Sequence, residues 1–546
     1  MKSLIVTVLC LLSFGLYSQE YMKDRIIAKL KNLDREIENL EDISGLNSFF
    51  EENTISEIKP LDFSSSKTFN GRPLVIIFSS EVDIQEKITH LKNTNVFEYV
   101  EPDFIIKTGG LKISSDGSTF QTSLAPLAVT PNDQYFFRQW GLYNDGSFSL
   151  SPSIAGADVK MKEAWEISTG STEISIAIID SGIRMNHPEF AGRFLINQSE
   201  VINDLDDDGN GLIDDIYGWD FVNNNNNPSD DNGHGTNVTG ITVANSNNGV
   251  GYAGVDWNCK LLPIKVLDSG GSGSFSNMIS SIYYSISKNV DVISMSIGGS
   301  GYSSGLHEAT IAAYNANIPF LACMMNFNNN VPFYPAAFPQ VIAVGATDPD
   351  DKRSSPFFWD SSSGSNYGSH IDVVAPGNYM YGLSYLSNTD YEGYWGGTSQ
   401  ATPLVAGIVT LMLSIEPNLT IEEIRTILRT TAQDLVGRPW EDTPGFDQYH
   451  GAGRVNAYQA LLAVQNLSTP NIDNQTISIY PNPTKDRLYI QSKYGVNDIK
   501  IYDMTGRFIK KHENTSEVDM TTLNKGIYLL KISTDQKTFE TKVIKQ

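Results

Sequence analysis

Cysteine is scarce in this chain. The 546 residues contain three cysteines, Cys10, Cys259 and Cys323, and no disulfide framework is expected from so few. Cys10 lies inside the apolar N-terminal segment and should be removed with it. We therefore expect Cys259 and Cys323 to be free thiols that behave as small buried hydrophobes in the mature protein.

Positive charge is also in short supply. The chain has 39 Lys and Arg residues against 63 Asp and Glu residues, so its net charge is -24 and its pI is about 4.7. Such a surface is repelled by phosphate backbones and anionic lipids, which argues against nucleic acid and anionic membranes as main partners. Acidic residues in tight clusters can instead bind calcium.

After residue 18 the sequence has no apolar run long enough to span a bilayer. Residues 1–18 are typical of a secretory signal, with Lys2 before an apolar stretch at 4–16 and the small residue Ser18 before polar residues. That stretch is itself too short for a membrane anchor. We expect an exported mature protein with no transmembrane segment.

A chain of this length should hold two to four domains. Residues 19–127 are expected to form a small charged unit followed by a linker rich in Ser, Thr and Gly from residue 108. The predicted elements are strands at 73–78 and 96–107, the second broken at Glu101-Pro102, and an amphipathic helix at 83–91. This arrangement suits a removable propeptide, and it would suit any small N-terminal domain equally well.

From about Pro131 onward, continuous apolar runs alternate with helical stretches. The runs lie at 174–179, 261–267, 290–297, 318–323 and 341–346. A continuous apolar run is typical of a strand buried on both faces, and the alternation predicts a parallel α/β sheet. Ligands bind such sheets beyond the carboxyl ends of the strands, and Asp180 lies at one of these ends.

Ser399 stands five residues before the start of another apolar stretch, residues 404–413, which predicts a buried helix. At the N-terminus of that helix, free N–H groups and the helix dipole would favour a developing negative charge. Pro403 is expected to be tolerated because it falls in the first turn. Taken alone, Ser399 could simply be a helix N-cap.

His234 stands between Gly233 and Gly235 and opens a helical stretch at 237–244. Asp180, His234 and Ser399 thus follow one another along the chain, each next to or near glycine at an element boundary. In nucleophilic catalysis a serine attacks a carbonyl, a histidine takes its proton, and an aspartate orients the histidine. This order and set of roles match the serine-protease mechanism.

Residues 130–463 resemble the subtilases, the subtilisin-type serine proteases. Six ordered blocks carry the resemblance, at 177–182, 232–236, 294–299, 334–337, 341–346 and 397–403. The family implies a seven-stranded parallel sheet with helices on both faces, and endopeptidase activity with Asp180, His234 and Ser399 as the triad. We place this catalytic domain at residues 128–466.

The resemblance also implies an oxyanion hole. The backbone N–H of Ser399 can supply one donor, and Asn326 matches the asparagine that supplies the other in this family. Met325 stands where the family has glycine, which leaves the donor present but alters its surroundings. The alternative is that Asn326 is an ordinary residue of an Asn-rich loop.

Peptide substrates of the family add as antiparallel strands to two backbone edges. The matching residues here are Gly271, Ser272, Gly273, Ser296, Ile297 and Gly298, although their glycines could be ordinary turn residues. Met325 and Phe333 match the wall of the first specificity pocket. Because both are bulky, we expect small or medium residues such as Ala or Leu, rather than Phe, before the cleaved bond.

An acidic loop at 204–215 has EF-hand-like ligand spacing, with acids at positions one, three, five and twelve and glycine at six. The predicted calcium ligands are Asp204, Asp206, Asp208, Asn210, Leu212 and Asp215. A solvated acidic loop is the alternative. The family resemblance implies a second calcium site, formed by Asp133, Glu189 and Asn248 with backbone carbonyls near Ser246 and Val250.

The C-terminal segment, residues 467–546, begins with a polar linker and continues with short alternating strands, which predict a small β-sandwich. Tyr480-Pro481-Asn482-Pro483 and the segments 503–507 and 526–528 resemble the type IX secretion sorting domain. The resemblance implies export across the outer membrane of a Gram-negative cell. A carbohydrate- or protein-binding sandwich is the alternative.

Together these features predict a secreted, calcium-stabilised, subtilisin-like serine endopeptidase. The segment Tyr99-Val100-Glu101-Pro102 resembles the end of a subtilase propeptide, so we expect a precursor whose propeptide inhibits it intramolecularly. The expected partners are protein or peptide substrates and the type IX secretion machinery. The alternative is a cell-surface adhesin or binding protein on a disabled subtilase scaffold, which Met325 favours and the complete triad opposes.

Overall fold

The computed structural model describes residues 19–33, 36–43, 45–64, 66, 68–108, 111–114, 129–467, 477–503, 506–536 and 538–545. The predicted signal peptide, residues 1–18, lies outside the described residues. So do most residues of both predicted linkers, 108–127 and 467–473.

The N-terminal unit is a small antiparallel sheet with helices. Its elements are β1 (Tyr21–Leu30), a 3-10 turn (Leu40–Asp42), α1 (Asn47–Glu52), β2 (Ile55–Pro60), β3 (Pro73–Phe78), α2 (Ile84–Asn93) and β4 (Phe97–Thr108). The Asp83 side chain caps α2, whose apolar face packs into the core of the unit. Strand β4 runs unbroken through Pro102, contrary to the predicted break, and a register shift in the paired β1 accommodates it.

The catalytic region is built on a seven-stranded parallel sheet, as predicted. The strand order is β14-β13-β12-β10-β6-β8-β7. These strands are β6 (Ser175–Asp180), β7 (Trp219–Asp220), β8 (Lys260–Lys265), β10 (Val292–Met295), β12 (Phe320–Cys323), β13 (Ile342–Thr347) and β14 (Val373–Pro376). Strand β6 is buried at every position because helices cover both faces of the sheet.

The remaining elements of this region surround the sheet. They are 3-10 turns at Phe136–Arg138 and Pro188–Phe190, α3 (Met161–Ala164), α4 (His234–Val243), β9 (Ser272–Ser274), α5 (Phe275–Ser287), β11 (Ile297–Gly298), α6 (Ser304–Asn315), β15 (Met380–Tyr381), β16 (Gly393–Gly396), α7 (Thr398–Ile415), α8 (Ile421–Thr431) and α9 (Ala457–Leu467). Helix α8 begins with the capping box of Thr420 and Glu423. Cys259 and Cys323 are free and buried.

Helix α7 is the central helix of the catalytic region, and its residues 398–413 are buried. Of the described helices, it alone is long and apolar enough to cross a membrane, and 89% of that window is buried inside the protein. Pro403 lies beyond the first turn, contrary to our expectation. Because proline cannot donate to the carbonyl four residues earlier, the Ser399 carbonyl accepts a hydrogen bond from Ser296 Oγ instead, at 2.8 Å.

The N-terminal unit joins the catalytic region through strand pairing. Strand β4 pairs antiparallel with both β9 and β11. Within the predicted linker, the structure has a further strand, β5 (Leu111–Ser114), which pairs antiparallel with β16. Sequence reasoning missed β5 because a four-residue strand that forms by pairing with a distant edge leaves no strong local pattern.

The C-terminal unit consists of two antiparallel sheets around a shared apolar core, in agreement with the predicted all-β domain. One sheet has the order β17-β18-β21 and the other the order β20-β19-β22-β23. The strands are β17 (Ile477–Tyr480), β18 (Arg487–Ser492), β19 (Val496–Asp503), β20 (Phe508–Glu513), β21 (Glu517–Asp519), β22 (Gly526–Thr534) and β23 (Thr538–Lys545). Lys542 forms an ion pair with Glu423 of α8 at 3.0 Å.

Candidate active site

Asp180 and His234 lie in contact at the carboxyl edge of the central sheet. Asp180 is the last residue of β6, and His234 is the first residue of α4. The Asp180 Oδ1 atom lies 2.7 Å from His234 Nδ1. Gly235 permits this approach, because a Cβ atom there would lie 2.0 Å from the carbonyl oxygen of Gly182. Aspartate thereby fixes the ring orientation of the histidine.

Asp230 holds the start of α4 in place, and sequence reasoning did not single it out. Its carboxylate accepts hydrogen bonds from the backbone N–H groups of Gly233 and Thr236, from the Thr236 hydroxyl and from Ser181 Oγ. Burial raises the pKa of Asp230, and these hydrogen bonds act in the opposite direction. An Asp four residues before His234 at a helix start was the available signal.

Ser399 is the second residue of α7 and is fully buried. Its hydroxyl donates to the backbone carbonyl of Ser296 at 2.9 Å, and His234 Nε2 has no hydrogen-bond partner among the described residues. Ser296 follows Met295, which lies opposite Ile179 in the neighbouring strand β6, so the Ser399 hydroxyl is bonded at the same carboxyl edge of the sheet that carries Asp180. The ring of Trp395 lies edge-on to His234, with the two centroids 5.7 Å apart.

Asn326 is oriented by the residue that precedes Ser399. Its Oδ1 atom accepts hydrogen bonds from the Thr398 N–H at 2.8 Å and from Thr398 Oγ1 at 3.0 Å. The Asn326 Nδ2 group is buried and has no partner among the described residues. A buried donor without an acceptor is rare in proteins. An unpartnered Nδ2 group is expected if Asn326 donates its hydrogen bond to a substrate oxygen.

Met325 occupies an unusual backbone conformation beside this donor. Its φ is +70°, a left-handed value that glycine adopts more readily than methionine. The conformation explains why glycine suits this position, and the Met325 carbonyl still accepts a hydrogen bond from the Asn366 N–H at 2.9 Å. Met325 therefore leaves Asn326 in its oriented position.

The predicted substrate edges are occupied by the chain itself. Strand β4 pairs with β9, which contains Ser272 and Gly273, and with β11, which contains Ile297 and Gly298. Gly271 accepts a hydrogen bond from the Thr108 N–H at 3.1 Å. Thus Gly271, Ser272, Gly273, Ile297 and Gly298 contact an extended strand of the chain itself, and the pairing ends before Ser296 among the described residues.

Met325 and Phe333 lie together in the predicted specificity pocket, and both are buried. They form a small apolar cluster with Cys323, whose sulfur lies 3.6 Å from Met325 Sδ. The Phe333 ring stacks on Phe327 with centroids 5.0 Å apart. Both side chains thus point into protein rather than into solvent.

The acidic loop forms ion pairs with a lysine side chain, that of Lys288. Asp208 and Asp215 each lie 2.9 Å from Lys288 Nζ, and Glu200 completes a group of three carboxylates that could hold a metal ion. Sequence reasoning missed Glu200, which lies before the loop in the sequence. Asp204 is outside this group of three.

The other predicted ligands of the loop are engaged locally. The Asp206 carboxylate accepts the N–H groups of Asn210 and Gly211, and the Asn210 side chain accepts the N–H of Leu212. The backbone of the loop is therefore folded into tight turns by its own side chains. A calcium ion would compete with Lys288 for the carboxylates of Asp208 and Asp215.

The second predicted calcium site contains two buried carboxylates. Asp133 and Glu189 are both buried, and Asp133 Oδ1 has no hydrogen-bond partner among the described residues. Burial, with Asp133 nearby, raises the pKa of Glu189 to about 7. The Asn248 amide donates to Glu189 at 3.0 Å, and Ser246 and Val250 lie in the same turn. Oxygen atoms of this kind are the ligands that Ca²⁺ prefers.

A further group of potential metal ligands was not found from the sequence. It comprises Asp442, Asp447 and the fully buried His450. Neither ring nitrogen of His450 has a hydrogen-bond partner among the described residues. A nitrogen and two carboxylate oxygens form a different donor set from the all-oxygen set of the calcium loop.

The site and the fold together define a class. A parallel α/β sheet with an Asp–His pair at its carboxyl edge and a serine at the start of a buried helix is the architecture of a serine protease. The Subtilase family model matches residues 171–453, just over half of the chain. This chain belongs to the subtilase family of serine proteases, as its sequence motifs predicted.

Curated relatives agree with that assignment. The chain is 35% identical over 333 residues to thermitase of Thermoactinomyces vulgaris, covering 61% of this chain and 99% of thermitase. It is 30% identical over 379 residues to a thermophilic serine proteinase of Bacillus sp. (strain AK1), covering 69% of this chain and 76% of that protein. It is 32% identical over 351 residues to a cell wall-associated protease of Bacillus subtilis, covering 61% of this chain and 36% of that protein.

The C-terminal unit matches a second family model. Residues 478–546 match the secretion system C-terminal sorting domain. This confirms the predicted type IX sorting domain and replaces the alternative of a carbohydrate- or protein-binding sandwich. The chain is therefore sorted to the cell surface or the extracellular space.

Proposed function

We propose that this protein is a serine endopeptidase that hydrolyses peptide bonds with Asp180, His234 and Ser399. The observation that supports this most strongly is the strand pairing around Ser399. Strand β4 is paired on one side of the serine and β5 on the other. A cleft that holds an extended chain on both sides of its nucleophile suits cleavage within a chain rather than at an end.

In the proposed reaction, the Ser399 hydroxyl turns from the Ser296 carbonyl to His234 Nε2. Ser399 Oγ attacks the substrate carbonyl carbon while His234 takes the hydroxyl proton, and Asp180 stabilises the resulting imidazolium. The negative oxygen of the intermediate accepts hydrogen bonds from Asn326 Nδ2 and the Ser399 N–H. The C–N bond breaks, and the amine leaves with the proton from His234.

Water completes the reaction. It attacks the acyl-enzyme carbonyl and gives a proton to His234, which returns it to Ser399 Oγ as the ester bond breaks. The products are a carboxylate and an amine, and the enzyme is regenerated.

We further propose that residues 19–108 act as an intramolecular inhibitor. Strand β4 covers the substrate edges, and the predicted triad residues are buried in this precursor. The N-terminal unit also has its own apolar core. Such a core would hold β4 in position to pair with β9 and β11.

Calcium is the proposed structural ion. Asp133 and Glu189, with Asn248, fit it best because two buried carboxylates there have no cation from the chain at bonding distance among the described residues. The ion would tie the segment at Asp133 to the turn at 246–250. It has no step in the proposed chemistry.

The test is casein hydrolysis by the purified protein and by Ser399→Ala. We expect the variant to lose activity by several orders of magnitude and to remain an uncleaved precursor between about residues 107 and 130. Ser414→Ala, at the other end of the same helix, is the matched control and should remain active. A purified Ser399→Ala protein that still matures and digests casein would refute the triad.

A further inference from the structure

The pairing of β4 defines the course of the chain toward Ser399 from the amino side. Lys107 lies opposite Gly298, and Thr108 lies opposite Ile297. The Thr108 N–H also donates to the Gly271 carbonyl on the other edge, so the strand is held on both sides. The register at the end of β4 is therefore fixed by two independent neighbours.

In an antiparallel pair, one step forward along one strand is one step back along the other. The step after Thr108 therefore corresponds to the step from Ile297 back to Ser296. The Ser296 carbonyl oxygen lies 2.9 Å from Ser399 Oγ. The pairing of β4 thus leads directly to the nucleophile.

The pairing of β5 with β16 brings the chain toward Ser399 from the other direction, on the carboxyl side of residues 109 and 110. Leu111 lies opposite Gly396, the last residue of β16. One step back from Leu111 corresponds to one step forward along the partner, to Gly397, two residues before Ser399. Between the two paired segments the sequence contains only Gly109 and Gly110.

We infer that Ser399 cleaves this chain between Gly109 and Gly110, and that the enzyme selects substrates with glycine before the cleaved bond. The inference rests on the proposed function, since it assigns the bond and the substrate class to the proposed catalytic site. Cleavage consumes one water, leaves a carboxylate on Gly109 and creates a new amino terminus at Gly110.

The first specificity pocket supports glycine. Met325 Sδ lies 3.4 Å from the position where a Cβ atom on Gly298 would be. The thioether therefore fills the gap between β11 and the segment that carries Asn326. Phe333 and Cys323 close the far side of the same cluster. A residue without a side chain requires no room in this gap.

Ile106 supplies the side-chain recognition that glycine cannot. Its side chain is fully buried, and its Cδ1 atom lies 3.2 Å from the position of a Cβ atom on Gly273. Lys107, by contrast, points to solvent and pairs with the exposed Glu20. The structure thus favours peptides with glycine before the cleaved bond and a branched aliphatic residue three positions earlier.

The first experiment follows self-processing of the full-length precursor by intact mass at early times. The released N-terminal fragment should end at Gly109. Its carboxyl end is the better readout because the mature amino terminus can be trimmed further within residues 110–128. A fragment that ends at any other residue, in a preparation that digests casein, would overturn the assignment.

The second experiment tests the pocket in the same precursor. Gly109→Phe should slow processing at this bond by about 10- to 100-fold, because a large side chain overpacks the space that Met325 fills. Adding Met325→Gly should restore most of the rate. Gly117→Phe, a matched change beyond β5, should process normally. Unchanged processing of Gly109→Phe would contradict glycine selection.

The third experiment uses the mature enzyme and two synthetic peptides, Ile-Ile-Lys-Thr-Gly-Gly-Leu-Lys and the same peptide with Phe at the fifth position. The glycine peptide should be cut between its glycines, with kcat/KM about 10- to 100-fold above that of the Phe peptide. Loss of both peptide and casein cleavage would contradict the proposed function itself. Casein cleavage with a preference for the Phe peptide would overturn only the glycine inference.

Discussion

At the scale of single residues, Thr398 determines how well Asn326 can donate a hydrogen bond. The two hydrogen bonds from Thr398 fix Asn326 Oδ1, and this leaves Nδ2 free. One of these bonds comes from the backbone and survives a side-chain substitution. The orientation of the donor can therefore be weakened without removing the donor.

Asn326→Ala should lower kcat by about 10²- to 10³-fold with little change in KM, because the donor acts on charge that develops in the transition state. That range was measured on a subtilisin, so it applies to this family directly. Thr398→Val keeps the backbone N–H and removes the hydroxyl, and its loss in kcat should be smaller. Steady-state kinetics on one chromogenic peptide measures both.

A Thr402→Val variant is the control for Thr398→Val, since Thr402 Oγ1 bonds within the same helix, to the Thr398 carbonyl. Equal kcat for Asn326→Ala and the wild type would remove Asn326 from the oxyanion hole.

At the scale of secondary-structure elements, β4 caps two helices of the catalytic region. Asp103 accepts hydrogen bonds from the Ser276 N–H and hydroxyl at the start of α5. Glu101 accepts the N–H groups of Ser304 and Gly305 at the start of α6. A carboxylate is stabilised there by free N–H groups and by the helix dipole. These contacts explain why the acids flank Pro102 in this strand.

Removing a cap should loosen the first turn of its helix. In the Ser399→Ala precursor, Glu101→Ala should destabilise the α6 cap by about 1 kcal/mol. The amide hydrogens of Ser304 and Gly305 should then exchange about five-fold faster. Hydrogen exchange with mass spectrometry checks this.

Glu98→Ala is the matched control, because Glu98 is an exposed acid on the same strand that pairs with Lys29 and reaches no helix start among the described residues. Unchanged protection of α6 in Glu101→Ala, with the precursor still folded, would show that Glu101 does not stabilise the start of this helix.

At the scale of the whole molecule, calcium would link distant parts of the chain. The site of Asp133 and Glu189 joins the start of the catalytic region to the turn after α4. The acidic loop is different, because Lys288 already forms ion pairs with Asp208 and Asp215. The first site should therefore respond more strongly to removal of the ion.

Chelation should lower the melting temperature, measured in the Ser399→Ala precursor to prevent self-digestion. A site that binds only the native state contributes about 2.7 kcal/mol when free calcium is about 100 times Kd. Asp133→Asn should remove most of the chelator effect, and Asp206→Ala with Asp208→Ala a smaller part. Asp360→Asn, an exposed acid outside both sites, is the control. A melting temperature that a chelator leaves unchanged in every variant would refute both sites.

The sequence by itself determined the family and the parallel sheet, and it predicted the residues of the candidate active site. Asp180, His234 and Ser399 each stand beside short-range signals, namely a buried apolar run, a glycine pair or a helix start. These signals depend on neighbours in the chain, so they can be read without the fold. The turns and apolar alternation of the C-terminal unit are local in the same way.

Only the tertiary structure decided which distant groups meet. The pairing of β5 with β16, the helix caps from Glu101 and Asp103, and the position of Lys288 between two carboxylates all join residues more than 70 positions apart. Each of these contacts is made by a short strand, an ordinary acid or a single lysine, none of which has a distinctive local pattern. Their roles arise because the folded backbone places free N–H groups, strand edges or opposite charges beside them.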